Sequence, residues 1–318
     1  MRVATSTAYS QAVTSINTQS FNLNKTLLQV SLGKKIVVPS DDPAGAARVL
    51  GLNQAKSRTE KFQDNISTTL SSLEVEETAI NGVVDRLQRI RELSIQANND
   101  TYDASQRADI GKEIEQQLGA ILGLANTTNG NGEYLFSGFN NRTTPFTNSG
   151  GSIVYNGDQG QQLLQIGATR QIASGDNGFD VFMNLRGTDN GNSGSTAPMS
   201  VFDVVGELET VLNTNAGSPT ALPAETFHES MSRIIANLDV AIGHIVDAQA
   251  TVGARLNAVD SQKNVNEDYL VQLASTLSET QDLDYTEAIS RLEQEQLGLQ
   301  ASQQAFTKIQ GLSLFNYL

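Results

Sequence analysis

The chain has 318 residues, a formal net charge of −14, no Cys and only two His. The absence of Cys excludes a disulfide framework, a thiolate metal site and a cysteine nucleophile. The acidic balance argues against nucleic-acid binding, which depends on clustered Lys and Arg, and no stretch approaches the roughly 18 consecutive apolar residues of a membrane-spanning helix.

Residues 1–20 lack the apolar core of a secretory signal peptide, so composition alone predicts a cytosolic protein. The chain is rich in amides, with 26 Asn and 25 Gln against 21 Lys and Arg, and only 6% of its residues are aromatic. This mixture favours long helices with polar faces over a compact enzyme.

The first predicted helix has a seam in which steps of four and three residues alternate, the period of a coiled coil. Its members are Tyr9, Val13, Ile16, Ser20, Leu23, Leu27 and Val30. The last predicted helix, residues 285–309, carries Ile289, Leu292, Leu299 and Phe306. A single seam has nothing to pack against, so we expect these two terminal arms to pair as an antiparallel hairpin.

A strong signal for the start of a second helix follows the first arm. Asp42 can cap the free N–H groups of a new helix, and Pro43 fits the first helical position, where no N–H is needed. The sequence therefore predicts a helix from about residue 44 to 97, and a third helix that starts at Asp103 or Ser105.

The middle of the chain changes period and is rich in Gly and Asn. Residues 133–136, 152–155 and 162–166 are predicted as short strands, and residues 187–195 as a loop. A short helix over 201–212 and a long helix over about 225–279 follow. The overall prediction is a mainly α fold, in which both chain ends build an antiparallel helical bundle and a small β-rich domain is inserted in the middle.

Three domains are predicted from these patterns. Residues 1–42 and 280–318 form a terminal coiled-coil assembly domain, residues 43–140 and 200–279 a helical core domain, and residues 141–199 a β-rich outer domain.

No candidate active site emerges from the sequence. His228 and His244 are sixteen positions apart on one predicted helix and cannot share a metal ion within it. Glu74, Glu76 and Glu77 are expected on a solvated helix face near Arg86 and Arg89. The segments 176–180 and 189–192 resemble calcium loops only faintly and favour turns. We therefore expect neither enzymatic activity, nor a cofactor, nor a bound metal.

Two features point to assembly. Residues 1–40 carry four basic side chains, among them Lys34 and Lys35, and no acidic one. The chain ends on an apolar cluster that a free monomer would expose: Leu312, Leu314, Phe315, Tyr317 and Leu318. Both features predict a subunit whose termini become ordered on binding.

Several motifs resemble the flagellin family. Residues 1–52, which include residues 31–43 (SLGKKIVVPSDDP), are similar to the family's N-terminal region. Residues 87–97 (LQRIRELSIQA) are similar to its core helix, and residues 299–318 to its C-terminal helix. Residues 39–43, 132–138, 155–158, 202–203 and 253–257 resemble the hook-associated members of the family. The likeness covers about residues 1–140 and 200–318.

The resemblance implies a structural subunit of the bacterial flagellum, an adaptor between hook and filament, with a filament-forming flagellin as the alternative. It implies a homo-oligomeric ring or short cylinder, the first hook-associated protein as partner on the hook side, and flagellin on the filament side. It further implies unfolded export through the flagellar type III channel and a cytoplasmic chaperone on the C-terminal helix, which places the protein outside the cell.

Overall fold

The computed structural model describes residues 2–186, 199–213 and 226–311. Its helices are α1 (Arg2–Leu32), α2 (Pro43–Ala97), α3 (Ala104–Ala125), α4 (Val201–Asn213), α5 (Phe227–Gln281) and α6 (Tyr285–Gly311). Its strands are β1 (Phe146–Ser149), β2 (Ser152–Tyr155), β3 (Leu163–Gln165) and β4 (Gln171–Ala173), and a π-helical turn spans Phe179–Met183. Long helices from both ends of the chain and a small β region in the middle confirm the predicted fold class.

The chain divides into two compact units. Unit 1 comprises residues Met1–Glu60 and Glu267–Leu318, and unit 2 comprises Lys61–Asn266. The division falls within the long helices α2 and α5, each of 55 residues, and not at their ends. The three-domain division drawn from the sequence remains a prediction.

Unit 2 is built around the apolar seams of its helices. Leu73, Ile80, Leu87 and Ile90 of α2 are fully buried, as are Ile114 and Ile121 of α3. The α5 seam contributes Met231, Ile234, Leu238, Ala241, Ile245, Val252 and Val259, all fully buried. α3 begins at Asp103, whose carboxylate accepts a hydrogen bond from the Gln106 N–H while the Gln106 side chain accepts one from the Asp103 N–H. This capping box satisfies N–H groups that the first helical turn leaves free.

The middle region contains two antiparallel hairpins and an aromatic cluster. β1 pairs with β2 from Phe146↔Tyr155 to Ser149↔Ser152, and β3 pairs with β4. Phe146 lies 5.2 to 5.3 Å, between ring centroids, from Tyr155, Phe182 and Phe202. Phe146, Phe182 and Phe202 are buried together with Phe136, and Tyr155 is partly buried.

One predicted strand is wrong. Residues 133–136 form turns, and only Tyr134 makes a bridge, with Thr128. The Asn129 side chain accepts hydrogen bonds from the N–H groups of Asn131 and Glu133, which closes the chain into a loop at this point. The predicted loop at 187–195 lies outside the described residues.

Candidate assembly surface

The two terminal arms pack against each other in unit 1. The rings of Tyr9 and Phe306 lie 5.2 Å apart, and Gly298 of α6 approaches the side chain of Gln19 so closely that a Cβ there would come within 2.4 Å of its amide nitrogen. The direction is antiparallel, because the start of α1 meets the end of α6. Glycine at position 298 therefore permits a close approach of the two helices.

The link between α1 and α2 is fixed to the link between α5 and α6. Gly33, with φ +67°, ends α1 in the left-handed conformation. Its carbonyl accepts a hydrogen bond from the Leu283 N–H at 3.0 Å, and the Lys35 N–H donates to the Gln281 carbonyl at 2.8 Å. The Gln29 side chain donates to the Lys35 carbonyl at 2.6 Å. This backbone register fixes where the hairpin of arms begins.

Two adjacent aspartates organise the start of α2. Asp42 accepts a hydrogen bond from the Gly45 N–H at 2.9 Å, directly before Pro43 at the first helical position. Asp41 forms a 2.8 Å ion pair with Lys25 and accepts hydrogen bonds from the N–H groups of Val37 and Val38. The hydrogen bond from Lys25 is the main reason why the pKa of Asp41 lies below its usual range.

The residues of the predicted seams differ in exposure. Val13, Ile16, Leu23, Val30, Leu292, Leu299 and Phe306 are partly buried, whereas Tyr9 and Leu27 are exposed. The C-terminal cluster of Leu312, Leu314, Phe315, Tyr317 and Leu318 lies outside the described residues. The assignment of these residues to assembly remains a prediction.

A second apolar face on α1 was missed by the sequence analysis. Phe21, Leu28 and Leu32 are 69%, 47% and 52% exposed, and their spacing of seven and four places them on one side of the helix. Leu23 and Val30 of the seam lie on the opposite side. The spacing is visible in the sequence, but the prediction assigned only one apolar seam to this helix. α1 is therefore apolar on two sides, one of which is open to solvent.

The expectation that Glu74, Glu76 and Glu77 share a solvated face is wrong for Glu76. Its side chain is fully buried in unit 2, where Oε1 accepts a hydrogen bond from the Asp176 N–H at 2.9 Å. Asp176 in turn pairs with Arg255 at 2.8 Å. Burial, with the charge of Asp176 as the second cause, raises the pKa of Glu76 to about 8. Arg86 and Arg89 instead contact Gln117 and Glu113 of α3.

The described residues offer little for catalysis or metal binding. His228 contacts Asp100 and Asn98, and His244 contacts the Asp180 carbonyl. Within the described ranges, His, Asp and Glu form no group of three that could hold a metal ion. The helices of the same ranges include none with the length and apolarity to cross a membrane.

Family models of the two terminal regions of bacterial flagellin match the two ends of the chain. The bacterial flagellin N-terminal helical region matches residues 3–141, and the bacterial flagellin C-terminal helical region matches residues 235–318. Together the two matches cover more than half of the chain.

Individual relatives agree with these matches. Flagellar hook-associated protein 3 of Escherichia coli (strain K12) is 29% identical over an alignment of 318 residues that covers 99% of each chain. A flagellin of Clostridium tyrobutyricum is 34% identical, but over 40% of this chain and 34% of its own. The crystal structure of the flagellar junction protein FlgL from Legionella pneumophila superposes with a TM-score of 0.60 at 23% identity, covering 74% of this chain and 100% of that one.

The paired terminal arms, the long helical seams and the inserted hairpins accordingly occur in a chain whose two ends both match flagellin profiles. The chain belongs to the flagellin family.

Proposed function

We propose that this chain is a structural subunit of the bacterial flagellum that joins the hook to the filament. The observation that carries the proposal is the similarity to hook-associated protein 3 of Escherichia coli, which extends over 99% of both chains. The likeness thus includes the inserted hairpins as well as the terminal helices. Flagellins and hook-associated proteins are structural proteins, so we assign no enzymatic activity.

A filament-forming flagellin is the alternative. The match to the Clostridium tyrobutyricum flagellin supports it less well, because it covers under half of either chain. The two functions differ in solution: a flagellin polymerises into long filaments by itself, whereas a junction subunit attaches to the end of one.

In the proposed function, the terminal arms pack side by side with those of neighbouring subunits in a ring or short cylinder. Fixing the backbone of about 30 residues costs on the order of 30–60 kcal/mol, so an arm needs partners on more than one side. The exposed face of Phe21, Leu28 and Leu32 supports this, because burial of those side chains requires a partner beyond α6.

The partners follow from the same assignment. The first hook-associated protein lies on the hook side, and flagellin lies on the filament side. We further propose unfolded export through the flagellar type III channel to the cell exterior, with a cytoplasmic chaperone that covers Leu312, Leu314, Phe315 and Leu318 before export. The seam residues Tyr9, Val13, Ile16, Leu23, Leu27 and Val30 serve assembly in this proposal, and residues 141–199 form the outer domain.

Deleting the gene tests the function. Electron microscopy of the deletion strain should show hooks without filaments, with flagellin shed into the medium, and a plasmid copy of the gene should restore the filaments. Normal filaments in the deletion strain would contradict the junction function. Long filaments formed by the purified chain alone would favour the flagellin alternative.

A further inference from the structure

The two limbs of unit 1 carry opposite charge. The N-terminal limb, residues 1–60, has seven basic and three acidic side chains, a net charge of +4. The C-terminal limb, residues 267–318, has two basic and eight acidic side chains, a net charge of −6. Residues 267–284 alone contain five acidic side chains and no basic one.

The ion pairs found in the described part of unit 1 join residues of the same limb and not residues of opposite limbs. Lys25 pairs with Asp41 and Lys56 with Glu60, both within the N-terminal limb. Arg291 pairs with Glu287 within the C-terminal limb. The limbs instead meet mainly through apolar, amide and backbone contacts, such as Tyr9–Phe306 and the Lys35 N–H to Gln281 carbonyl bond. The Lys35 ammonium group also donates to the backbone carbonyl of Glu279 at 3.1 Å.

Charges of both signs are therefore left free at the surface. Lys34, Arg48 and Arg58 of the N-terminal limb are exposed, and none has an ion-pair partner within the described residues. The side-chain carboxylates of Asp268, Glu279 and Glu293 in the C-terminal limb are also exposed and also lack an ion-pair partner within the described residues. Neither set is explained by the fold of a single chain.

The N-terminal limb also exposes apolar side chains. Phe21, Leu28 and Leu32 lie on the side of α1 opposite to its seam, and Leu50 of α2 is 60% exposed.

The free anions have apolar neighbours of the same kind. Val271, 71% exposed, follows Asp268 by three positions, and Leu297, 69% exposed, follows Glu293 by four. Residues three or four apart are neighbours on a helix surface. Each limb thus combines uncovered apolar groups with an excess of unpaired charge of one sign, a composition that suits an interface with a partner of the opposite sign.

We propose that the cationic outer face of the N-terminal limb binds the anionic outer face of the C-terminal limb of a second copy of this chain. The proposal rests on the junction function, because it names the partner of the assembly arms. Every copy carries both faces, so the contact is head to tail and can be repeated from copy to copy, which gives a ring where the rotation closes. A two-fold contact of like limbs would bring charges of the same sign together, which is unfavourable.

Charge reversal with cross-complementation tests the proposal. One variant carries Arg48→Glu with Arg58→Glu, and the other carries Asp268→Arg with Glu293→Arg. No described ion pair is lost in either. Arg142→Glu with Arg170→Glu is the matched control, since both residues are exposed cations of unit 2 without an ion-pair partner in the described ranges.

The first measurement is sedimentation of the purified full-length chains at high concentration and low salt. Each reversed variant alone should associate at least about tenfold more weakly than the wild type, because like charges then face each other. An equal mixture of the two variants should associate as the wild type does, with copies alternating. The control should match the wild type. Mixing that fails to restore association, or a variant that associates normally alone, would overturn the proposal.

The second measurement uses the deletion strain. Cells expressing either variant alone should export it yet show bare hooks, and cells expressing both should regain filaments. If the wild-type gene itself does not restore filaments, the junction function is wrong, and the sedimentation result still decides the charge pairing. If the wild type restores filaments and each variant alone does so equally well, the charge pairing is wrong and the junction function stands.

Discussion

Replacing Glu76 with glutamine should change how the stability of unit 2 depends on pH. Glu76 is fully buried, and its Oε1 accepts a hydrogen bond from the Asp176 N–H. An amide oxygen can accept the same bond, so Glu76→Gln removes the ionisation while it keeps the contact and nearly the same volume. Glu74→Gln, at an exposed position two residues earlier on α2, is the matched control.

The sign follows from the direction of the pKa shift. Burial raises the pKa of Glu76 from 4.5 to about 8; the charge of Asp176 adds to this, while the Asp176 N–H and Arg255 oppose it. Between these two pH values the folded chain keeps a proton that the unfolded chain releases. The stability that this group contributes is therefore fully present below pH 4.5 and is lost as pH rises to about 8. At about 1.4 kcal/mol per pH unit, the loss over the whole window amounts to about 5 kcal/mol.

Urea unfolding followed by circular dichroism at several pH values between 4.5 and 8 measures this effect. The free energy of unfolding of Glu76→Gln minus that of the wild type should grow steadily across the window, and the Glu74→Gln difference should stay flat. Hydrogen exchange at the Asp176 amide locates the change. Parallel pH profiles for the wild type and Glu76→Gln would refute the reasoning, because they would mean that Glu76 is ionised in the folded chain.

Three further predictions concern the terminal arms and the core. Removal of residues 1–30 should leave the cooperative thermal unfolding of unit 2 intact and abolish attachment to the hook in cells; attachment retained after this truncation would contradict an assembly role of the arm. Phe315→Asp with Leu318→Asp should weaken chaperone binding in a pull-down, or incorporation at the junction, without a change in the melting temperature of unit 2. Phe146→Ala should destabilise unit 2 by about 3–5 kcal/mol in urea titrations, because a fully buried ring is lost from the aromatic cluster; a loss below 1 kcal/mol would mean that the cluster collapses to fill the cavity.

The helices were predictable because their signals are local. Apolar residues at steps of three and four define the seams of α2 and α5, and Asp42 with Pro43 marks the start of α2 within one residue of the observed position. Asp103 similarly begins α3 through its own side chain and that of Gln106. Each of these signals lies within one or two helical turns, so no knowledge of the rest of the fold is needed to interpret it.

The burial of Glu76 had no local signal. The sequence analysis placed Glu76 with Glu74 and Glu77 on a solvated face, whereas the structure buries Glu76, three residues after the buried Leu73. The cause is Asp176, whose backbone N–H approaches from a segment 100 residues later. The strand predicted at 133–136 failed for a related reason, since Phe136 packs on Phe182 in the aromatic cluster and not in a sheet.

The large number of amides now has a structural use. The sequence analysis assigned the amides only to the polar faces of helices. The structure places several of them at contacts between different segments of the chain. Gln29 donates to the Lys35 carbonyl, Asn266 donates to the Ile166 carbonyl at 2.9 Å, and Gln249 donates to Asn81 at 2.6 Å. The contacts of the buried Gln29 and Asn266 satisfy polar groups without a fixed charge.

The use of amide contacts in place of ion pairs matters for a subunit whose limbs carry opposite charge. Ion pairs between the limbs would neutralise the surface within one chain and leave little charge to select a neighbour. Amide and backbone contacts, as between Lys35 and Gln281, hold the limbs together and leave Arg58 and Asp268 free. The same sequence can then join its two limbs mainly by apolar, amide and backbone contacts and recognise the next copy with charged contacts. Under this arrangement, salt should weaken association between copies more than it weakens the fold of unit 1.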